Sequence, residues 1–297
     1  MPSDSDFSLD RPAQARAFDR AAAGYDASFE PLQRMNAELL ERLKYFSLNP
    51  QSILDLGAGT CSTTSQLRQR YPRAQVLALD SSLAMLQHAQ RSWWRTARYH
   101  RVVAEAAQLP LRDHSVDLVY SNLLLPFCDR PHLVFRELAR VLREGGLFVF
   151  SSLGPDTLME LRQAWRSVDD HEHVSQFLNL PQLGDALMQS GLIEPVMDTE
   201  HHTLSYPDAH ALMRDLKRLG AQNAVTARFR GITGRTRLQR MAGAYETARL
   251  STGLPATFEV IFGAAFAAGS AAAGGHQPGL GSGEAVFPLS SLQKRSR

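Results

Sequence analysis

Cysteine is scarce in this sequence, since Cys61 and Cys128 are the only two among 297 residues. So few cysteines, at a spacing that fits no zinc motif, argue against a disulfide framework and a cysteine metal site. Long apolar runs are also missing: the least polar segment, residues 260–275, is rich in Gly and Ala and too short to span a bilayer. The first residues lack the basic start and apolar stretch of a signal peptide. We therefore expect a cytoplasmic protein with free thiols and no membrane partner.

An excess of charge of either sign is lacking as well. The 32 basic and 30 acidic residues give a net charge of +2, so the overall charge does not favour nucleic acid, and an anionic partner would have to bind a local patch. A zinc-like spacing of histidines is also absent from His171, His173, His201, His202 and His210. No nucleic acid and no metal are predicted as partners.

Between residues 50 and 152, short apolar runs alternate with helical patterns. Strands are predicted at Ser52–Leu56, Gln75–Asp80, Arg98–Val103, Asp117–Ser121 and Leu147–Ser151. Helices are predicted from about Thr60 to Arg70, after Ser81 or Ser82, and from Pro131 to the Gly145-Gly146 pair. Strands separated by helices of about 10–15 residues predict an α/β fold of parallel βαβ units with right-handed crossovers.

The segments on either side of this region have a different pattern. The first fifty residues are predicted to be helical, with an apolar stripe at Leu39, Leu40, Leu43 and Phe46. Helical periodicity returns at 155–190 and 207–250, with strand-like runs at Pro195–Leu204 and Thr257–Phe262. From Ala264 to Gly283 the chain is rich in Ala, Gly and Ser and is predicted to be flexible.

A glycine loop, Leu54-Asp-Leu-Gly-Ala-Gly-Thr60, lies directly after the first predicted strand and before a helix. Glycines there let the backbone turn tightly and approach a ligand closely. Asp80 ends the second strand, where a carboxylate can accept hydrogen bonds from both hydroxyls of a ribose. Together the loop and Asp80 predict an adenosine group across the carboxyl ends of the strands.

Two details favour a nucleoside with a methionine group over a dinucleotide. The dinucleotide fingerprint has a third glycine where this chain has Ser62, which argues against a pyrophosphate at the helix N-terminus. Asp55 places a carboxylate at the strand end, where it suits a ligand that carries an ammonium group.

The next two strand ends supply further candidates. Glu105 follows the third strand in Ala104–Pro110 and can accept a hydrogen bond from an adenine amino group. Asn122 lies in Ser121–Leu124 at the end of the fourth strand, where the reactive end of the cofactor is expected to meet the substrate.

These motifs resemble those of class I S-adenosylmethionine methyltransferases. The resemblance implies a doubly wound, seven-stranded, mostly parallel Rossmann-like sheet with N-terminal helices, with helical insertions after the fifth and sixth strands, and with a reversed strand for which Thr257–Phe262 is the candidate. It also implies S-adenosylmethionine as cofactor and S-adenosylhomocysteine as product. The implied cofactor-binding residues are Asp55, Gly57, Ala58, Gly59, Asp80, Ser81, Met85, Glu105, Ala106, Asn122 and Leu123. One departure is Cys61, where many members have glycine.

Further segments resemble the malonyl-acyl carrier protein O-methyltransferases of biotin biosynthesis, the BioC family. They are Phe18–Tyr25 with Leu32-Gln33, Ser121–Leu123, Phe150–Leu158 with Leu161–Trp165, Leu212–Asn223 and Leu254–Gly263. The resemblance implies methyl transfer to the free carboxylate of malonyl-acyl carrier protein or malonyl-coenzyme A. No general base is expected, because that carboxylate is already ionised at neutral pH. Tyr25 and Gln33 would belong to an element that closes over the cofactor, and Tyr25 and Asn122 are the candidate catalytic residues.

The resemblance and the patterns together predict four regions. These are a helical lid over residues 1–49, a cofactor-binding core over 50–153, helical insertions with C-terminal strands over 154–263, and a flexible tail over 264–297.

Eight basic residues fall between Arg214 and Arg240, where Asp215 is the only acid. Such a patch can dock an acidic carrier protein or bind the phosphate of phosphopantetheine. Arg214, Lys217 and Arg235 are the predicted substrate or carrier contacts. A solvated helix face, balanced by acids elsewhere in the fold, is the alternative.

Two other functions stay open at this point. One is a carbon methyltransferase of quinone synthesis, which would need a base for a phenolic substrate and a wide apolar pocket. The other is a non-methylating relative that serves respiratory-complex assembly or hydroxylates arginine.

Overall fold

Seven strands pair into one sheet in the computed structural model of the chain, which describes residues 9–26, 30–89, 99–226, 228, 231 and 233–269. The strands are β1 (Ser52–Leu56), β2 (Gln75–Asp80), β3 (His100–Val103), β4 (Val116–Asn122), β5 (Leu142–Leu153), β6 (Leu192–Tyr206) and β7 (Leu254–Ala267). All five strands predicted before residue 152 are therefore confirmed, although Arg98 lies outside the described residues.

Nine α-helices lie in the described part of the chain. They are α1 (Arg11–Ala21), α2 (Glu30–Arg42), α3 (Ser62–Arg70), α4 (Leu83–His88), α5 (Pro131–Val141), α6 (Met159–Arg166), α7 (Leu180–Gln189), α8 (Ala209–Arg218) and α9 (Arg235–Glu246). The pairs α6–α7 and α8–α9 are the predicted insertions after the fifth and sixth strands. None of these helices combines the length and the apolar character needed to cross a bilayer.

The strand order is β3-β2-β1-β4-β5-β7-β6. β1 pairs in parallel with β2 on one side and with β4 on the other, so the order reverses beside β1. Ligands of open α/β sheets bind in the crevice at the carboxyl ends of the strands at such a point. β7 runs antiparallel to β5 and β6, which confirms the predicted reversed strand.

Two predicted boundaries around β5 and β7 are wrong. The helix expected to continue to Gly145-Gly146 ends at Val141, because Leu142 already has extended dihedral angles and pairs with Val116 of β4. The segment predicted to be flexible from Ala264 onward begins inside β7, where residues 264–266 pair with residues 147–149 of β5. Small residues suit this central strand because bulky side chains of β5 lie against it. The rest of that segment, from residue 270, is outside the described residues.

Helix α3 begins two residues later than predicted, at Ser62, because Cys61 has the left-handed dihedral angles φ 61° and ψ 23°. This conformation favours glycine, and a side chain there costs about 1 kcal/mol. Burial of the Cys61 side chain offsets part of that cost. Only 1% of the residue is exposed, and it packs against Ala58, Ala78 and Leu86.

The core consists of two apolar layers on opposite faces of the sheet. Alternation along β5 sends Leu147 and Val149 to the face covered by α2, α6, α8 and α9. Phe148 and Phe150 point to the face covered by α5 and α7. A β-strand with both faces buried reads as a continuous apolar run, which is how β5 stands out in the sequence.

Gly263 of β7 lies opposite Phe150, and a Cβ there would be 2.3 Å from the Phe150 ring. We expect Gly263→Ala to destabilise the protein by about 1–3 kcal/mol through overpacking. The matched control is Gly243→Ala at an exposed site in α9, where a Cβ would meet no heavy atom within 4 Å and should stabilise the helix by about 0.5–1 kcal/mol. Urea unfolding followed by circular dichroism measures both, and equal effects would contradict this packing.

Candidate active site

One cavity opens at the carboxyl ends of β1, β2 and β4, at the reversal of strand order. Its floor comes from the glycine loop and the strand ends, and its roof from one face of α1, including Gln14 and Phe18. The predicted cofactor residues that line it are Tyr25, Gly57, Gly59, Asp80, Ser81, Met85, Glu105, Ala106, Asn122 and Leu123. The structure therefore brings most of the predicted set together.

The glycine loop is tied to the end of β2. The amides of Gly57 and Ala58 both donate to the carbonyl oxygen of Leu79, at 2.8 and 3.0 Å. Gly57 and Gly59 have φ values of 76° and 51°, in the region that favours glycine. A Cβ at Gly57 would lie 3.0 Å from the Leu124 side chain, whereas nothing lies within 4 Å of one at Gly59. The open side of the loop thus leaves room for a ligand against the backbone.

Asp80 holds this loop through its side chain. One carboxylate oxygen accepts from the Gly59 amide and the other from the Ser82 amide, each at 2.8 Å. Burial raises the pKa of Asp80, and these two amide bonds act against that rise. The carboxylate still lines the cavity, so it is placed to accept from a pair of hydroxyls.

Asp55 does not line the cavity, and its predicted contact with a ligand stays a prediction. It lies below the loop, 2% exposed, where it accepts a hydrogen bond from Thr64 of α3 at 2.5 Å. Burial raises the pKa of Asp55 to about 7, a rise that the Thr64 bond opposes and the nearby Asp80 carboxylate increases. Ala58 is also buried outside the cavity lining.

Gln33 lies outside the cavity lining too, and its predicted cofactor contact stays a prediction. Its side-chain amide donates to the carbonyl oxygen of Asp26 at 2.9 Å, and Asp26 in turn accepts from the Thr60 hydroxyl of the glycine loop. These bonds fix the segment that carries Tyr25 against the loop. Burial raises the pKa of Tyr25 to about 12, with smaller contributions from Asp80 and Asp26.

The roof of the cavity is held by contacts that the sequence patterns did not reveal. Arg11 of α1 is 2.6 Å from Asp129 and 3.5 Å from Glu105. Gln14 donates to the carbonyl oxygen of Phe127 at 3.1 Å, and Phe18 contacts the Phe127 ring edge to face at 5.0 Å. The only local signal for this helix was the Asp10 cap with Pro12 in the first turn, which predicts a helix start and not its contacts.

Asn122 and Leu123 lie at the end of β4 beside the cavity. The Asn122 side-chain oxygen accepts from the Ser151 hydroxyl at 2.7 Å, and the Leu123 amide donates to the same hydroxyl oxygen at 3.0 Å. The Ser151 bond turns the Asn122 side-chain NH2 away from β5. Leu123 has φ 56°, so the chain bends sharply here and continues along the cavity wall.

A second chamber adjoins this cavity and shares Gln14, Leu123 and Phe127 with it. Its other walls are mainly Leu, Met, Pro, Ala and Phe side chains from α2, α8 and the segments around residues 153–158 and 219–224. Thr157, Ser175 and Gln222 provide its remaining polar side chains among the described residues, and none of the described lining residues is charged.

The predicted basic cluster is divided in the structure. Arg214 and Lys217 of α8 line a surface hollow together with Arg218 and with Arg20 of α1. Arg235, the first residue of α9, does not line this hollow, so the structure does not bring the three predicted substrate or carrier contacts together in it.

Other arginines of the cluster are neutralised by acids from distant parts of the sequence. Arg228 is 2.8 Å from Asp10, and Arg237 pairs with Asp169. Arg230 lies outside the described residues.

The raised pKa of Asp55 predicts a pH-dependent stability. Between the unfolded value of 3.8 and the folded value of about 7, the folded state binds more protons than the unfolded state. This carboxyl therefore lowers the free energy of unfolding by about 1.4 kcal/mol per unit as pH rises through that window. We expect Asp55→Asn, compared with wild type by urea unfolding at pH 5, 6 and 7, to remove this slope.

The exposed Asp170→Asn serves as the control for that experiment and should leave the slope unchanged. Identical slopes in wild type and Asp55→Asn would contradict the burial of an ionisable group at this position.

Comparisons with known proteins agree with this geometry. Residues 54–150 match the family model described as a methyltransferase domain. Among solved structures, the YcgJ protein from Bacillus subtilis aligns with a TM-score of 0.56 at 17% identity, over 79% of this chain and 99% of that one. A putative methyltransferase from Bacillus halodurans aligns with a TM-score of 0.56 at 15% identity, over 78% of this chain and 100% of that one. At such identities these structures show the Rossmann-like methyltransferase fold alone.

Curated relatives are much closer in sequence. A malonyl-(acyl-carrier protein) O-methyltransferase from Gallionella capsiferriformans is 42% identical over 268 residues, which cover 88% of this chain and 92% of the relative. A protein of the same name from Halorhodospira halophila is 40% identical over 98% of both chains. With this identity over most of both lengths, the chain belongs to the malonyl-(acyl-carrier protein) O-methyltransferase family.

Proposed function

We propose that this protein transfers the methyl group of S-adenosylmethionine to the free carboxylate of malonyl-acyl carrier protein, for biotin synthesis. The products are the malonyl methyl ester and S-adenosylhomocysteine. The observation that carries the proposal is that two cavities adjoin each other. One is lined by acids and glycines at the strand ends, and the other is an uncharged chamber that shares Gln14, Leu123 and Phe127 with it.

The first cavity fits the proposed cofactor residue by residue. Asp80 can accept from both ribose hydroxyls, since its carboxylate is fixed by two amides and lines the cavity. Glu105 and Ala106 border the expected adenine position, with Ser81 and Met85 beside the adenosine. The open face of Gly59 leaves backbone accessible to the methionine group. Asp55 acts indirectly, since its bond with Thr64 supports the glycine loop from below. Gln33 also acts indirectly, since it helps to fix the segment that carries Tyr25.

When bound, S-adenosylmethionine supplies an electrophilic methyl group attached to a positively charged sulfur. The acceptor is a carboxylate, which is ionised at neutral pH and needs no base. The chain therefore has to hold the acceptor oxygen in line with that methyl group, and alignment of this kind lowers a barrier by several kcal/mol. Asn122 is placed to do so through its side-chain NH2, and Tyr25 through a hydroxyl that stays protonated.

The uncharged chamber supports a carboxylate acceptor in a second way. A carboxylate that leaves water for this chamber loses hydration and becomes a better nucleophile, while the ester product carries no charge and is favoured there. A phenolic acceptor, by contrast, would need a base. None of the described residues that line the two spaces is a histidine or a lysine.

We also propose that α1 acts as a lid. It covers the cofactor cavity through exposed or half-buried contacts, such as the Arg11 pair with Asp129 and the Gln14 bond to Phe127. Contacts of this kind are individually weak, so α1 can move away for cofactor exchange while β1 and β2 stay paired.

Replacement of Asp80 tests the cofactor site. We expect Asp80→Asn to weaken S-adenosylhomocysteine binding about 10- to 100-fold in calorimetry, because asparagine has one acceptor oxygen where aspartate has two. It can keep only one of the two amide bonds of the loop, and it offers the ribose hydroxyls no charged acceptor. Asp170→Asn, at an exposed residue that lines neither space, should bind normally. Equal affinities for the two variants would overturn the assignment of Asp80.

The pH dependence of methyl transfer tests the absence of a general base. With malonyl-acyl carrier protein and saturating cofactor, the maximal rate should change less than about twofold from pH 7.5 to 9.5. Over this range the malonyl carboxylate is ionised, Asp55 with its pKa of about 7 goes from mainly to fully ionised, and Tyr25 with its pKa of about 12 stays protonated. A tenfold rise per pH unit would indicate proton removal from the acceptor and would favour a phenolic substrate. No transfer to any malonyl thioester would favour the non-methylating relatives.

A further inference from the structure

Helix α8 has two faces that border two different spaces. Its exposed face carries Arg214, Lys217 and Arg218, which line the surface hollow. Its inner face carries Leu216, which lines the uncharged chamber together with Leu219, the residue directly after the helix. One helix therefore separates a basic surface site from the apolar space next to the cofactor cavity.

The hollow concentrates positive charge. Among the described residues, Arg20, Arg214 and Lys217 have no carboxylate within ion-pair distance, and Arg218 has only Asp215, at 3.6 Å. The arginines beyond α8 that pair with Asp10 and Asp169 are neutralised. Cations without acidic partners that converge from two helices are suited to an anion, and arginine in particular to the oxygens of a phosphate.

The hollow and the chamber meet at Gln222. Its exposed side chain borders the hollow on one side and the chamber on the other. The chamber in turn meets the cofactor cavity at Gln14, Leu123 and Phe127. A substrate that passes over the end of α8 at Gln222 would have one end among the cations and the other beside the cofactor.

In this structure α1 lies close to the turn after α8. Gly220 has φ 69°, and a Cβ there would lie 3.0 Å from Phe18 and 3.2 Å from the Ala17 backbone. Arg20 is thereby brought across to the basic face of α8. The hollow is thus lined by residues of both helices.

We propose that this hollow binds the phosphate of the phosphopantetheine arm of the substrate, with the arm crossing at Gln222 and the malonyl group in the uncharged chamber. This inference rests on the proposed function for the identity of the acyl group. A helix with its side chains is about 10–12 Å across, a distance that an extended pantetheine chain spans. The negative phosphate and the apolar chain match the charge of the hollow and the apolar walls of the chamber.

Binding by the resting protein tests the phosphate site without turnover. In calorimetry, wild type should bind 4′-phosphopantetheine at least about tenfold more tightly than pantetheine, the difference expected from one charge-assisted contact or more. The variant Arg214→Ala/Lys217→Ala should lose this preference. Arg73→Ala/Arg136→Ala, which removes the same net charge at exposed positions away from the hollow, should keep it. Equal affinity of wild type for the two compounds would overturn the proposal.

Kinetics separate this inference from the proposed function. In the hollow variant, KM should rise about tenfold or more for malonyl-coenzyme A and for malonyl-acyl carrier protein, while kcat/KM for malonyl-pantetheine stays unchanged. A loss confined to malonyl-acyl carrier protein would mean that the hollow binds the surface of the carrier, and an equal loss for all three substrates would mean a structural effect. Either result overturns the phosphate site. If wild type methylated none of the three, the proposed function would fail, while the binding experiment would still decide the phosphate site.

Discussion

The bond between the Gly59 amide and the Asp80 carboxylate is the contact on which the site depends. It joins the loop after β1 to the end of β2. Beside it, the amides of Gly57 and Ala58 donate hydrogen bonds to the Leu79 carbonyl oxygen. Because β1 and β2 are paired in register up to Leu56 and Leu79, the loop has little freedom once the strands are formed. The floor of the cavity is therefore a consequence of strand pairing and is set before any ligand arrives.

That same arrangement concentrates negative charge, and the charge indicates what the site binds. Asp55 is buried and Asp80 is half-buried near it, and each has a raised pKa because removal from water disfavours the ionised form. A positively charged ligand beside them would lower the free energy of both carboxylates. The proposed cofactor carries a sulfonium and an ammonium group, so an acidic floor under a glycine loop suits it, whereas it would repel the pyrophosphate of a dinucleotide.

Local patterns predicted the parts of this protein that local physics determines. Strand periodicity located β1 to β5, and the residue types at the strand ends located Asp80 and Glu105. The patterns failed where contacts come from distant segments: nothing near Arg11 indicates its pairing with Asp129, and nothing near Arg228 indicates Asp10. The composition around residue 264 suggested flexibility, yet small residues are what a central strand needs when Phe150 lies against it.

The placement of charge around α8 follows from the same reasoning about burial. A cation inside the chamber would be costly to desolvate and, by pairing tightly with the carboxylate, would stabilise the reactant more than the charge-dispersed transition state. A chamber without charged residues avoids both effects, but it gives up the attraction that would draw an anionic substrate in. In the proposed arrangement, cations on the outer face of α8 would restore that attraction at the far end of the substrate, where they would not weaken the nucleophile. Carboxylate methylation thus favours an arrangement in which one helix separates the cations that bind the substrate from the carboxylate that reacts.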